Sequence, residues 1–260
     1  FFISTVGCQM NVSDSERLSR GLKSLGLEKS EDENSDLVVI NTCVVRQTAE
    51  DTTTGFLGKL KKIKEGKPKM MIVVMGCMVG PKTNELEKRF PHVDVWAAPQ
   101  KFQKILDPVS EIVSKKDMEG CLPDLLPLKP KIASFVPIIH GCNKFCSFCI
   151  IPYRRGREIS KSISEIKKEV LTLTRRGVKE VTLLGQNVDS YGHDLDPKKD
   201  LADLLYELNS IDELVRLRFL TSHPNDMSTK IIESIRDLSK VCETINPVSY
   251  THLTLPTNTV

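Results

Sequence analysis

The stretch His140-Gly-Cys-Asn-Lys-Phe-Cys-Ser-Phe-Cys-Ile150 brings three cysteines together at a C-x3-C-x2-C spacing. They are Cys142, Cys146 and Cys149, and no fourth cysteine lies close to them in the sequence. A structural zinc site closes its shell with four protein ligands. Three thiolates on a cubane iron–sulfur cluster instead leave one iron open for a small molecule. The spacing therefore favours an open iron–sulfur site, with an incomplete zinc knuckle or chance clustering as the alternatives.

The composition is that of an ordinary globular chain. It has 260 residues, of which 40% are hydrophobic and 27% charged, and a formal net charge of +3. This length suits one large domain or two ordinary ones, and no apolar run approaches the roughly 18 residues that would span a membrane. Eight cysteines in a long chain without a basic leader favour reduced, metal-binding thiols over disulfides. We therefore expect a cytoplasmic protein without membrane association.

The first half alternates strand-like with helix-like segments. Apolar runs typical of strands lie at 1–6, 37–40, 70–75 and 94–96. Ser13-Asp-Ser-Glu16 has the pattern of a capping box, which predicts that the first helix starts there and ends at Gly26. Further helices are predicted at 51–64, 81–89 and 103–114. This alternation predicts a doubly wound parallel sheet.

A weak internal repeat places one cysteine after each of the first three predicted strands. Cys8 follows in Val6-Gly-Cys-Gln, Cys43 in Asn41-Thr-Cys-Val and Cys77 in Met75-Gly-Cys-Met. In a parallel sheet the carboxyl ends of the strands share one edge, where ligands bind. We therefore expect the three thiols to meet at one rim as a second open-shell cluster site, although three unrelated buried cysteines would give the same sequence.

The second half follows a break in the pattern. Pro123, Pro127 and Pro130 predict a linker over 116–131. Strands are then predicted at 134–139, 178–184, 214–220 and 241–245, and helices at 165–176, 201–209 and 229–239. Ser164 is the predicted cap of the first of these helices. Such βα units are typical of a barrel or half-barrel, with the functional residues after the strands.

With both cysteine sets in view, the chain resembles the radical SAM methylthiotransferases, enzymes that use S-adenosylmethionine (SAM). The resemblance runs from Phe2 to about Asn246 and is carried by these stretches: Thr5–Val12, Val39–Arg46, Met75–Cys77, Cys142–Cys149, Ile151–Glu158, Leu184–Val188 and Arg218–Pro224. Cys8-Gln-Met-Asn11 and Thr221-Ser-His-Pro224 favour the group that acts on isopentenyladenosine in tRNA.

The resemblance implies an α/β protein with an N-terminal doubly wound parallel-sheet domain followed by a partial radical SAM (β/α) barrel. The predicted bounds are 1–115 for the first domain, 116–131 for the linker and 132–246 for an incomplete radical SAM domain. Residues 247–260 have no counterpart in the family. We therefore expect an unfinished barrel, with poor solubility or no turnover.

The resemblance also implies the cofactors and their ligands, which are two [4Fe–4S] clusters and SAM. Cys142, Cys146 and Cys149 would hold the cluster that cleaves SAM, while Cys8, Cys43 and Cys77 would hold an auxiliary cluster that handles sulfur. SAM itself would be bound by Gly185, Gln186, Asn187 and Phe148. No catalytic residue is predicted beyond the cluster ligands, because the cofactors carry the chemistry.

The implied activity is that of a tRNA methylthiotransferase. It adds a methylthio group to carbon 2 of the adenine of N6-isopentenyladenosine at position 37 of tRNA. The implied partners are the tRNA anticodon stem-loop and an electron donor such as flavodoxin or ferredoxin, for a monomeric enzyme. A basic segment after the cysteine loop is the candidate contact to tRNA phosphates, namely Arg154, Arg155, Arg157 and Lys161.

Two other functions stay open at this point. A methylthiotransferase could act instead on threonylcarbamoyladenosine in tRNA or on an aspartate of a ribosomal protein. A non-catalytic, metal-bound nucleic-acid-binding module would share the cysteines and the basic segment, but it would need no opening for SAM after Leu184.

Overall fold

The computed structural model describes residues 1–45, 47–80, 83–113, 125–147 and 149–247. The chain divides into two compact units. Unit one is Phe1–Leu126 together with Tyr153–Arg155, and unit two is Pro127–Pro152 together with Gly156–Val260. Most of the predicted linker, 116–124, and almost all of the tail, 248–260, lie outside the described residues. The domain bounds drawn from the sequence stay predictions.

Unit one is built on a parallel sheet in the order β1-β2-β3-β4. Its elements are β1 (Phe2–Thr5), α1 (Gln9–Ser24), β2 (Leu37–Thr42), α2 (Gln47–Gly66), β3 (Met71–Gly76), α3 (Asn84–Arg89), β4 (Val95–Ala97) and α4 (Gln103–Ile112). The central strands β2 and β3 are mostly apolar because both of their faces are covered, and β2 ends in the buried Asn41 and Thr42. This confirms the α/β class expected from the sequence.

The two faces of this sheet bury separate apolar clusters. Val39 of β2 packs on one face with Leu18 and Leu22 of α1. Its neighbour Val38 packs on the other face with Leu57 of α2. Successive side chains of a strand point to opposite faces, so a continuous apolar run fills both clusters. Each fully buried aliphatic side chain contributes about 1.5–3 kcal/mol to folding, and this burial holds the carboxyl edge of the sheet in place.

The first helix begins four residues before the predicted capping box. It starts at Gln9, with Cys8 at its N-cap, so the prediction from Ser13 was wrong. Ser13 and Ser15 lie in the second turn, where both are buried. The Ser15 hydroxyl is hydrogen-bonded to Thr5 Oγ1 at 2.7 Å and accepts from Asn41 Nδ2 at 3.0 Å. The polar pattern therefore reflects contacts to the ends of β1 and β2 rather than a helix start.

Unit two contains a second parallel sheet, in the order β5-β8-β9. The elements from here to the end of the described chain are β5 (Ala133–Pro137), β6 (Ile139–His140), α5 (Ile151–Arg155), β7 (Ile159–Ser160), α6 (Ile163–Arg175), β8 (Glu180–Leu184), α7 (Leu201–Asn209), β9 (Arg216–Phe219) and α8 (Thr229–Asp237). The strand predicted at 241–245 is instead an isolated parallel bridge from Val241 to Leu217. The sequence also missed the antiparallel pair β6–β7, since two-residue strands leave no periodic pattern.

Helix α6 begins earlier than predicted. Its N-cap is Ser162 rather than Ser164. The Ser162 hydroxyl accepts from the Glu165 amide, and the Glu165 carboxylate accepts from the Ser162 amide at 2.9 Å, which completes a capping box. In the described part of the chain, no helix combines the length and the apolar character needed to cross a bilayer.

Replacing Ser162 with Ala should lower the free energy of unfolding by about 1 kcal/mol, because the amide of Glu165 loses its acceptor. Urea denaturation followed by circular dichroism measures the change. The control is Ser164→Ala, which keeps the cap. An equal loss in both variants would contradict this assignment.

Candidate functional site

The three cysteines of unit one lie at the carboxyl edge of its sheet. Cys8 follows β1, Cys43 follows β2 and Cys77 follows β3. Cys43 and Cys77 are buried and hydrogen-bonded to each other, whereas Cys8 is exposed at the start of α1. A Cβ atom on Gly7 would lie 2.9 Å from Cys43 Cβ, which places the Cys8 segment directly against Cys43. The structure therefore brings these three cysteines to one rim.

Two asparagines tie this rim together. The Asn11 side-chain amide donates to the carbonyl oxygens of Val6 at 2.8 Å and Thr42 at 3.2 Å, which end β1 and β2. The Asn41 side-chain amide in turn donates to the Asn11 carbonyl oxygen at 2.8 Å. Both asparagines are fully buried, so their hydrogen bonds hold the cysteine-bearing turns in a fixed arrangement.

Arg155 also belongs to unit one, and its guanidinium lies at the same rim. Nε donates to Cys77 Sγ at 3.1 Å and Nη2 donates to Asn11 Oδ1 at 3.0 Å. Nη1 lies 3.9 Å from the buried Asp14 carboxylate, and the Arg155 side chain is only 3% exposed. The hydrogen bond with Cys43 and burial raise the pKa of the Cys77 thiol, while the guanidinium opposes this rise.

The second cysteine set lies in the loop between β6 and α5. Gly141 opens the loop at φ +74°, where a Cβ would overlap the carbonyl group of Arg157. The Cys142 amide donates to the Gly156 carbonyl at 3.1 Å. Burial raises the pKa of Cys142 to about 11, and the neighbouring Glu158 carboxylate and the other two thiols add to the effect. The Cys142 thiol therefore lies close enough to the other two thiols of this set to be affected by their charge.

Two carboxylates anchor the part of the loop that lies between Cys142 and Cys146. The Asn143 amide donates to Glu158 at 3.1 Å. Lys144 is paired with Asp226 at 2.6 Å, and both side chains are largely buried. Within unit two, Glu158 and Asp226 thus fix two successive residues of the cysteine loop. The sequence analysis assigned no role to either carboxylate, because each contacts the loop from another part of the chain.

The turn after β8 places the predicted SAM-binding residues beside this network. Gly185 packs so closely on Ile139 that a Cβ would lie 2.5 Å from its side chain. Asn187 Nδ2 donates to Asp226 at 2.6 Å. Among the described residues, Gln186 Oε1 and Asn187 Oδ1 are buried acceptors without a hydrogen-bond donor. Buried acceptors of this kind fit a ligand that brings N–H groups. Phe148 lies outside the described residues.

Asp189, which sequence reasoning missed, stabilises the next turn. It is buried, and its Oδ2 accepts from the His223 amide at 3.0 Å. Burial raises the pKa of Asp189 to about 6, and the His223 amide opposes the rise. Asp189 directly follows Gln186-Asn187-Val188. The polar residues of this turn were therefore the sequence signal that could have identified it.

The four residues predicted to contact tRNA have distinct surroundings. Arg155 is buried and paired within the chain, so it is removed from this group, because a buried guanidinium cannot reach a phosphate of a docked tRNA. The Arg154 guanidinium packs against Gly80. The Arg157 guanidinium stacks on the Phe145 ring at 4.4 Å. Lys161 is paired with Glu169 at 2.9 Å.

Both cysteine sets have the donor chemistry of an iron–sulfur site. Thiolates are the ligands that such clusters take. One set offers three sulfurs after three adjacent strands, and the other offers three in a single loop. In the chain as the structure describes it, no three His, Cys, Asp or Glu side chains converge closely enough for a single metal ion. A cubane separates its thiolates more widely, since each binds a different iron. The ligand assignments stay predictions, and the sulfur-only donor sets and glycine-lined turns fit them.

Comparison with known families finds two separate matching regions in this chain. Residues 1–98 match a family described as uncharacterized protein family UPF0004. Residues 136–250 match the radical SAM superfamily. The chain thus contains a radical SAM domain, and the residues before it match a different family.

Curated relatives match almost the whole of this chain. A tRNA-2-methylthio-N(6)-dimethylallyladenosine synthase of Dehalococcoides mccartyi is 44% identical over 255 residues, which is 95% of this chain and 56% of the relative. The synthase of the same name from Clostridium tetani is 42% identical over 258 residues, which is 95% of this chain and 57% of that relative. The chain therefore belongs to the radical SAM methylthiotransferase family, and it spans a little over half the length of these relatives.

Solved structures show the same fold at low sequence identity. The radical SAM methyltransferase TsrM from Kitasatospora setae matches with a TM-score of 0.60 at 13% identity, covering 95% of this chain and 60% of TsrM. The cobalamin-dependent radical SAM enzyme OxsB matches with a TM-score of 0.55 at 12% identity, covering 90% of this chain and 41% of OxsB. These matches support the radical SAM fold.

Gly76→Ala should destabilise unit one by about 1–3 kcal/mol, because its φ of +101° disfavours a side chain and a Cβ would overlap the Thr42 carbonyl oxygen. The matched control is Gly55→Ala in α2, which meets no atom within 4 Å. There Ala should stabilise the helix by about 0.5–1 kcal/mol. Denaturant unfolding measures both changes, and effects of the same sign would contradict the argument.

Asp189 should make the stability of unit two depend on pH. Its pKa rises from 3.8 to about 6 on folding, so the unfolded chain releases the proton first as the pH rises. Its contribution to stability is therefore present below about pH 4 and is lost towards about pH 6. Urea unfolding of the parent and of Asp189→Asn across this range measures the difference in free energy. The free energy of unfolding of the parent minus that of Asp189→Asn should fall as the pH rises through this range, and a rise would contradict the sign.

Proposed function

We propose that this chain is the cluster-binding part of a tRNA methylthiotransferase, which adds a methylthio group to carbon 2 of the adenine of N6-isopentenyladenosine at position 37. The observation that carries the proposal is the pair of sulfur-only sites. Cys8, Cys43 and Cys77 follow three adjacent parallel strands, and Cys142, Cys146 and Cys149 share one loop. The family membership and the names of the relatives favour this substrate.

Each cysteine set holds one [4Fe–4S] cluster in this proposal. Three thiolates leave one iron of each cluster free for an external ligand. Bound at the loop site, the cluster and SAM supply the radical chemistry, while the cluster of unit one handles the transferred sulfur. The protein itself contributes binding, orientation and the exclusion of water.

The residues after β8 bind the amino end of SAM. Gln186 Oε1 and Asn187 Oδ1 would accept hydrogen bonds from its amino group, which would satisfy two buried acceptors. Asp226 orients Asn187 through the 2.6 Å hydrogen bond and holds Lys144 of the cysteine loop at the same time. One carboxylate thus positions both the cluster loop and the SAM-binding turn within unit two. Phe148 is proposed to pack near the adenine of SAM.

The partners follow from the substrate. Arg154, Arg157 and Lys161 are the proposed contacts to phosphates of the tRNA anticodon stem-loop, with Arg157 held by its stacking on Phe145. Flavodoxin or ferredoxin is the proposed electron donor. The enzyme is proposed to act as a cytoplasmic monomer.

Anaerobic reconstitution tests the two sites separately. The parent chain should bind about eight irons, and each triple cysteine-to-alanine variant about four, because a cubane contains four irons. The variants are Cys8/Cys43/Cys77→Ala and Cys142/Cys146/Cys149→Ala, with Cys242→Ala as the matched control that keeps about eight. Zinc in place of iron, or equal iron in both triple variants and the parent, would refute the site assignments.

Two further measurements test the reaction and its substrate. Under reduction with dithionite, the parent and the Cys8/Cys43/Cys77→Ala variant should cleave SAM to 5′-deoxyadenosine, and the Cys142/Cys146/Cys149→Ala variant should not. Nucleoside mass spectrometry of isopentenylated, threonylcarbamoylated and unmodified tRNA then identifies the acceptor. Methylthiolation of threonylcarbamoyladenosine alone would refute the proposed substrate. Failure to cleave SAM with both clusters present would favour a non-catalytic binding module.

A further inference from the structure

We propose that Arg155 sets the reduction potential of the cluster held by Cys8, Cys43 and Cys77, through a fixed charge and a hydrogen bond to a ligand sulfur. This inference rests on the proposed auxiliary cluster and deepens it. The observation is the guanidinium itself, whose Nε lies 3.1 Å from Cys77 Sγ at the rim of the unit-one sheet.

The position of the guanidinium is built by the fold. Asn11 donates its amide hydrogens to Val6 and Thr42, so its Oδ1 is left to accept from Arg155 Nη2 at 3.0 Å. These bonds determine which way the Asn11 side chain points. The guanidinium is therefore held from one side by Asn11 and aimed at the Cys77 sulfur on the other.

The charge balance at this rim favours a thiolate beside Arg155. A cation whose side chain is 3% exposed is costly unless an anion compensates it. Asp14 lies 3.9 Å from Nη1 and supplies one negative charge without a short contact to Nε. A neutral thiol is only a weak acceptor for Nε–H, whereas a thiolate gives a charge-assisted hydrogen bond. A cluster bound at this rim would supply that thiolate.

A hydrogen bond and a cation beside a ligand sulfur change the redox balance of an iron–sulfur cluster. Its reduced form carries one more negative charge than its oxidised form. A fixed guanidinium therefore stabilises the reduced form more, and hydrogen bonds to the sulfurs act in the same direction. Removal of Arg155 should lower the reduction potential while the cysteines still hold the cluster.

The measurement uses the Cys142/Cys146/Cys149→Ala chain, in which only the unit-one cluster can form. Arg155→Met and Arg155→Gln remove the charge, and Arg155→Lys keeps it. A mediated redox titration followed by electron paramagnetic resonance gives the potential, alongside iron and sulfide counts. The matched control is Arg175→Met, which removes an exposed arginine at the end of α6 in the other unit.

Both neutral variants should keep about four irons and shift the reduction equilibrium at least tenfold towards the oxidised form, which is about 59 mV for one electron. Arg155→Lys should shift it less, and Arg175→Met should leave it unchanged. Potentials equal to the parent in the neutral variants would overturn the inference.

The remaining outcomes also decide the question. If both neutral variants lose the cluster and Arg155→Lys keeps it, the cluster requires the charge at this position, which supports the inference. Cluster loss in all three folded variants would overturn the inference, because shape rather than charge would then be required. If the parent with Arg155 binds no cluster at Cys8, Cys43 and Cys77, the proposed function fails instead.

Discussion

The register of the parallel strands in unit one is the constraint on which its candidate site depends. Thr42 of β2 pairs with Gly76 of β3, so the next residues, Cys43 and Cys77, are placed side by side. Thr5 of β1 pairs with Asn41, one position earlier. Continued in the same register, this pairing sets Gly7 opposite Cys43, in agreement with the 2.9 Å that would separate a Cβ on Gly7 from Cys43 Cβ. A slip of one residue would separate the thiols and turn the apolar side chains of the strand to the wrong faces.

The same principle organises unit two with different means. Pro137 of β5 pairs with Leu184 of β8, so the residues after these strands meet at one edge. Here the chain places all three cysteines in a single loop after β6 rather than one after each strand. A loop has no strand pairing to hold its backbone in place. Its geometry therefore depends on side-chain anchors, which Glu158 and Asp226 supply.

The sequence predicted the features that regular sequence patterns indicate. Buried strands appear as apolar runs, and the spacing of Cys8, Cys43 and Cys77 repeats the length of one βα unit. The start of α1 was misplaced because Ser13 and Ser15 are polar for tertiary reasons that look like a cap. Arg155 was misread as a surface cation, since its partners Cys77 and Asn11 lie 78 and 144 residues away along the chain. Contacts over such separations leave no periodic trace.

Two proposed cluster sites with three cysteines each can differ in redox behaviour only if their surroundings differ. In unit one, Cys43 and Cys77 are buried, and a guanidinium faces Cys77. At the loop of unit two, Cys142 is buried and Cys146 half-buried, and the loop is anchored by the Glu158 carboxylate and the Lys144–Asp226 ion pair. The potential of a thiolate-bound cluster depends on nearby charge, hydrogen bonds to sulfur and solvent exposure. The guanidinium and its hydrogen bond to Cys77 Sγ would make a cluster in unit one easier to reduce. Solvent exposure is mixed in both sets, since Cys8 is exposed and Cys142 is buried. The balance among these effects, rather than the number of cysteines, is what separates the two sites.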